Sequence, residues 1–227
     1  DNDNFNRCFV AADYVRNEMI AAYPSTAGTS GGPADKAVIW NWKTNTFSIR
    51  DLPETSHIKS GIIEITAGTT WNNITGSWNA GSGAWGSTNY GNVSENLVFA
   101  DVTNTKLYRD NHGNTKDGTN MTSYIERSGY DLGDPSIIKY VSAVYPELEV
   151  SGNNEVKVYV GHQMATEEAI TWDNGTDFNP NTQSKVSCRS TGKYFAVKFE
   201  STGDFDWKLN GLAFDVKPRG KRGSRAY

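Results

Sequence analysis

The chain has 227 residues, of which 37% are hydrophobic, 21% charged and 12% aromatic. That is enough for one large domain or two small ones around a sizeable core, and too aromatic for a disordered chain. The net charge of −4 is unevenly spread: Lys217, Arg219, Lys221, Arg222 and Arg225 form a basic tail with no acid after Asp215, so residues 1–216 carry −9. An acidic body argues against a nucleic-acid reader, whose footprint is a basic face. No apolar run approaches the ~18 residues a membrane helix needs, so no membrane insertion is expected.

The chain opens on the polar stretch DNDNFN, not on a basic and then apolar signal segment, and lacks an initiator Met. It therefore reads as a piece of a longer or processed chain. Helical periodicity is absent, while short β-branched and aromatic runs recur throughout. Strands are predicted at 8–13, 18–23, 36–42, 47–51, 61–66, 96–102 and 106–110. Later ones are predicted at 137–150, 155–161, 168–173, 184–189, 193–201 and 207–217. Turn chemistry separates them at Ser151-Gly152-Asn153-Asn154, Asn174-Gly175 and Thr202-Gly203-Asp204.

An internal repeat aligns VIWNWKTNTFSIRD (38–51) with LVFADVTNTKLYRD (97–110) at an offset of 59. Val10, Ala12 and Asp13 match Val98, Ala100 and Asp101 in the same way. Hairpins then start near 10, 39 and 98, with room for another near 68. Such spacing suits the blades of a β-propeller, although two hairpins can also share turn residues by chance. From about residue 121 the strands lengthen and the repeat is lost. The expected fold is all-β. It has propeller-type hairpins over 1–115, including a Trp/Gly-rich loop at 68–96, then an antiparallel sandwich-like domain over 116–216 and a basic tail over 217–227.

Chemistry is sparse. His57, His112 and His162 lie apart from one another and from Cys8 and Cys188 at any metal-ligand spacing, so no metal site and no cofactor are expected. Two cysteines in a chain this long make no disulfide scaffold, which is consistent with folding in a reducing cytoplasm. DNDNFNRC begins like a calcium loop but has Asn6 at the glycine position and Ala12 at the glutamate position. Asp173, Asp177 and Asn179 could hold calcium but read better as a polar turn. Ser190-Thr191-Gly192-Lys193 lacks the upstream Gly and the hydroxyl residue of a phosphate loop. Sequons begin at Asn73, Asn92, Asn120 and Asn174 and read as chance in an Asn/Thr-rich chain. Glycoside hydrolysis would need two facing carboxylates; Glu64, Glu95, Asp101, Glu126, Glu167 and Glu168 are possible, and nothing in the sequence pairs two of them. The expectation is a protein that is not an enzyme.

Trp71, Trp78 and Trp85 recur every seven residues and Tyr90 follows, but the intervening glycines forbid a helix. These aromatics could stack on sugar rings, anchor the turns of an irregular loop, or form a subunit interface.

The two ends of the chain carry a likeness. NRCFVAADYVRNEMIAAYP and KAVIWNWKTNTFSIRDLP resemble the tail nozzle protein of short-tailed bacteriophages, also called tail tubular protein B. Asn17, Glu18, Met19, Tyr23 and Pro24 match one strand pair. Ala37, Val38, Trp40, Asn41, Arg50, Asp51, Leu52 and Pro53 match the next, with Phe47 in place of Trp. Gly192, Tyr194, Phe199, Trp207, Gly211, Gly223 and Arg225 match the end, with Lys193 in place of Arg. The resemblance implies the C-terminal portion of a longer virion protein, assembled in the host cytoplasm. It implies a homo-oligomer, a six-fold ring at the distal end of the tail. The ring would lie beneath the adaptor and beside fibre or spike proteins, around the channel through which double-stranded DNA leaves to enter the host. It names no catalytic residue. The alternative is a carbohydrate-binding module that contacts host glycans through Trp71, Trp78 and Trp85.

Overall fold

The structure is a computed structural model; it describes residues 6–28, 31–63, 94–111 and 113–220. The fold is all-β, with antiparallel pairing in every sheet and no α-helix among the described residues. The chain divides into two compact units, residues 1–112 and 113–227.

The first unit holds one six-stranded sheet in simple chain order: β1 (Phe9–Asp13), β2 (Glu18–Tyr23), β3 (Ala34–Asn41), β4 (Thr46–Ile63), β5 (Ser94–Asp101) and β6 (Lys106–Arg109). Strand β4 unites the predicted strand at 47–51 with the first three residues of the one at 61–66, the rest of which lies outside the described residues. The sequence between them, LPETSHIKS, looks like a break because of its proline. Pairing instead continues through a bulge, where Leu52, Pro53 and Glu54 on β4 face only Asp35 on β3. Pro53 has no N–H to donate, so a bulge is where a strand tolerates it. The first half of β4 pairs with β3 and the second half with β5. The core of this sheet is Ile20, Ala22, Ala34, Ala37, Ile39, Leu52, Ile58, Leu97 and Phe99.

Three hairpins of the sheet share one turn. Asp13, Asn41 and Asp101 each close a strand, and each side-chain oxygen accepts two backbone N–H groups, from the residues two and three further on, at 2.9–3.1 Å. Four residues after each acceptor the backbone turns left-handed, at Asn17 (φ 61°), Asn45 (φ 53°) and Thr105 (φ 53°). The repeat read from the sequence is therefore real in backbone terms, but one residue out of register. Asn45 is the structural counterpart of Thr105, so the offset is 60, and the matching Thr-Asn-Thr letters do not superpose. The match of Asp13 to Asp101 is in register. The hairpin expected near residue 68 lies outside the described residues.

Asn tolerates the left-handed region, whereas a β-branched residue there stores strain. Thr105→Asn is expected to stabilise the protein by about 1 kcal/mol, read as a higher denaturation midpoint. An unchanged or lower midpoint would mean that Thr105 is not strained.

The second unit begins with a small hairpin, β7 (Thr115–Lys116) with β8 (Thr119–Asn120). One sheet then contains β14 (Val186–Gly192), β10 (Ile138–Val150) and β16 (Trp207–Gly220), in that order. The other runs β12 (Thr171–Trp172), β11 (Val156–Gln163), β15 (Tyr194–Ser201), β9 (Ser123–Tyr130), with β13 (Thr176–Phe178) also on β11. Strands from both sheets share two apolar clusters. One centres on Leu148, Val158, Phe178, Val197 and Phe199, the other on Val141, Val144, Val160, Cys188 and Phe195. Alternation on β11, where Val156, Val158 and Val160 point inward, is the period-two pattern that made this strand legible.

Candidate functional site

The first two shared turns lie side by side, because Asp13, Glu18 and Asn41 stand in one row across β1 to β3; the third closes at the level of the start of β3, since Ala34 and Asp101 both pair with Thr55 of β4. A polar network ties the first turn to the second and holds the segment after β6 against them. Arg16 makes a 2.7 Å ion pair with the buried Asp13. Its carbonyl accepts a hydrogen bond from Asn41 Nδ2, and Asn17 O accepts from Trp42 N at 3.1 Å, which joins the first turn to the second. With its amide oxygen turned toward Arg16, Asn111 accepts from Nε at 2.9 Å and from Nη2 at 3.2 Å. Next to it, Asp110 is 5% exposed and is paired with Arg50 of β4 at 2.5 Å, while its other oxygen, Oδ2, is buried without a partner. The segment that follows β6 is thus clamped to both preceding hairpins. Every group in this network donates to or accepts from the scaffold, and the arrangement fixes shape; it offers no nucleophile beside a base.

The second unit has an open polar cleft of about 410 Å³, lined by Tyr140, Ser142, Asp173, Thr176, Cys188 and Arg189 among others. Two of its polar side chains are engaged by the scaffold. Asp173 Oδ1 accepts from Val160 N and Gly175 N at 3.0 Å, and the Ser142 hydroxyl donates to Asp215 Oδ2. Burial, with Asp173 and Asp215 adding to it, pushes the Cys188 thiol up to about 11. A thiol whose pKa is raised on folding keeps its proton where the unfolded chain has lost it. Its contribution to stability is therefore complete below about pH 9 and is lost as pH rises from 9 toward 11. Cys188 is expected to resist thiol reagents at pH 8 in the native protein, with the exposed Cys8 reacting first. Equal reaction rates at the two cysteines would contradict this environment.

The residues singled out in the sequence fall as follows. Trp71, Trp78, Trp85, Tyr90 and Glu64 lie outside the described residues, as do Lys221, Arg222, Arg225 and His112. Lys217 and Arg219 belong to β16, pairing opposite Tyr140 and stacking 4.6 Å above its ring respectively, so the first four residues of the expected tail are strand. Asp101 and Glu168 accept hydrogen bonds from the backbone of their own turns. Glu126 pairs opposite Lys198 on the neighbouring strand. Asn179 uses its side chain on Asn181 N and Asn153, which makes it a turn residue. His162 Nδ1 is 3.1 Å from the buried Ser190 hydroxyl. Gly192 closes β14 where a Cβ would meet the carbonyl of Gln163 at 3.0 Å, a packing reason for glycine there. Among the described residues, no cluster of three or more His, Cys, Asp or Glu could hold a metal ion.

The Arg50–Asp110 pair and the Arg16–Asn111 contact were not foreseen. Arg50 and Asp51 stood in a conspicuous Arg-Asp-Leu-Pro string, but nothing in that string points 60 residues ahead. Comparison with protein-family models and with curated proteins returned no match to this chain.

Proposed function

We propose that this chain is a structural, non-enzymatic part of the distal tail of a short-tailed phage virion, a ring-forming nozzle around the DNA exit channel. What supports this reading most is the role of the residues that carry the resemblance. Asn17 and Asn41 shape turns, Arg50 and Asp51 make ion pairs, Leu52 and Phe199 are core, and Gly192 permits a close backbone approach. The shared letters are thus architectural, as expected of a wall. In the finer form of this reading, the hairpins of the first unit are propeller-type and the second unit is a β-sandwich. A channel must confine a duplex without binding it, because each Lys or Arg that neutralises a phosphate adds affinity through counterion release. The −9 of residues 1–216 suits a lumen of low friction.

Negative-stain imaging of the purified chain, and immunolabelling of virions, tests the proposal. Six-fold rings and labelled tail tips are the expected result. A monomer whose tryptophan fluorescence is quenched by oligosaccharides would replace it with the carbohydrate-binding alternative. A continuous lumenal band of Lys and Arg would overturn the low-friction wall.

A further inference from the structure

Strand β14 turns Val186, Cys188 and Ser190 into the core, which leaves Ser187 and Arg189 on its outer face. On the neighbouring strand β10, Tyr140 alternates with the buried Lys139 and Val141 and so faces outward as well. The turn between β12 and β13 brings Asp173, Asn174 and Thr176 to the same place, and these six residues line most of the open cleft of about 410 Å³. That volume falls within the roughly 300–1,000 Å³ of small-molecule sites. Asp173 is held in place on one side only: Oδ1 accepts from Val160 N and Gly175 N, both at 3.0 Å. Among the described residues, nothing bonds to its Oδ2, nor to the side chains of Asn174, Thr176, Ser187 or Arg189. Tyr140 is held from its other neighbour, β16, by the Arg219 guanidinium 4.6 Å above its ring. The cleft therefore combines fixed groups with donors and acceptors that the scaffold leaves unused.

We infer that this cleft binds a neutral saccharide. Its charges decide the class of ligand. An anion meets the Asp173 carboxylate, with Asp215 near enough to act on the same Cys188 thiol. A cation meets Arg189, with Lys217 opposite Tyr140 on the next strand. A hydroxyl group uses both charges, because it donates to a carboxylate oxygen and accepts from a guanidinium. Neighbouring hydroxyls of one sugar ring repeat that pattern. The hydroxyls of Thr176 and Ser187 and the amide of Asn174 each offer a further donor and acceptor. Tyr140 supplies apolar ring surface for the C–H side of a sugar. A zwitterion would match the two charges and leave the three neutral groups unused. Groups already fixed by the fold lose little freedom on binding, which favours a ligand that needs several of them at once. The inference goes beyond the wall reading, and its failure leaves that reading as it stands.

The test is saturation-transfer difference NMR on the full chain, which detects weak binding whatever the size of the assembly. The probes are glucose, galactose, mannose, rhamnose and N-acetylglucosamine, with acetate and glycine as the anionic and zwitterionic controls. At least one sugar is expected to take up saturation, and neither control. Asp173→Asn keeps the Oδ1 acceptor and replaces the free oxygen by a donor, while Arg189→Met keeps the stem and removes the charge. Each is expected to weaken sugar binding about tenfold or more, the usual loss when a hydrogen bond to a charged group goes, with an unchanged circular dichroism spectrum. Trp78→Ala should leave binding as it is, which separates this cleft from the carbohydrate-binding alternative above. If either cleft variant disturbs folding, Thr176→Ala with Ser187→Ala takes its place, since neither hydroxyl is bonded to the scaffold. Silence from all five sugars overturns the inference. So does a sugar signal that survives the cleft variants, or one that glycine matches.

Discussion

Replacing Arg50 by Ala is expected to destabilise the first unit by about 3 kcal/mol, the low end of the range for orphaning one member of a buried pair. Asp110 is nearly fully buried and already has one oxygen without a partner, so removal of the guanidinium leaves a carboxylate with no compensation. The low end applies because 37% of the Arg50 side chain is in water. Hydrogen exchange should show the loss as faster exchange in β3 to β6, where the clamp acts. Adding Asp110→Asn to the Arg50→Ala background should recover part of the loss, because the stranded charge is gone. If the double variant is no better than Arg50→Ala, the cost is packing and not charge.

Phe199→Ala is expected to cost about 4 kcal/mol in the second unit, within the usual range for deleting a fully buried phenyl ring. Phe199 is 1% exposed, pairs opposite Val158 on one side and Ile125 on the other, and packs with Leu148, Val197 and Phe178. Both sheets of the unit lose contacts at once, so exchange should rise in β10 as well as in β11 and β15. Phe199→Leu should keep most of the stability, since it retains much of the volume. A loss below 1 kcal/mol for Phe199→Ala would mean that this cluster is not the centre of the unit.

Strand positions were legible where one face is buried and the other is not. β2, β10, β15 and β16 begin within one residue of where the alternating or apolar runs place them. Strand β9 was not foreseen at all, and its burial explains why. With seven of eight residues exposed, SYIERSGY has no buried face to impose a period on its letters. Only hydrogen bonding to β15 makes it a strand. Strand β4 was divided in two because proline reads as a break, and a bulge is a tertiary solution to that break. The turn repeat was visible as letters, yet its register is set by which side chain accepts the backbone N–H groups, and so Asn45 aligns with Thr105.

The sequence by itself determined that the chain is all-β and that its charge is acidic apart from the basic C-terminal residues. These depend on local chemistry: side-chain period, turn propensity and composition. Only the tertiary structure decided that Arg50 meets Asp110, that Cys188 is buried beside two carboxylates, and that Met19, Trp40 and Phe47 share one row with Ala12 across β1 to β4. Those facts depend on strand register and on contacts between residues far apart in the chain, which a local reading of the sequence cannot fix because a slip of one residue moves every side chain to the other face.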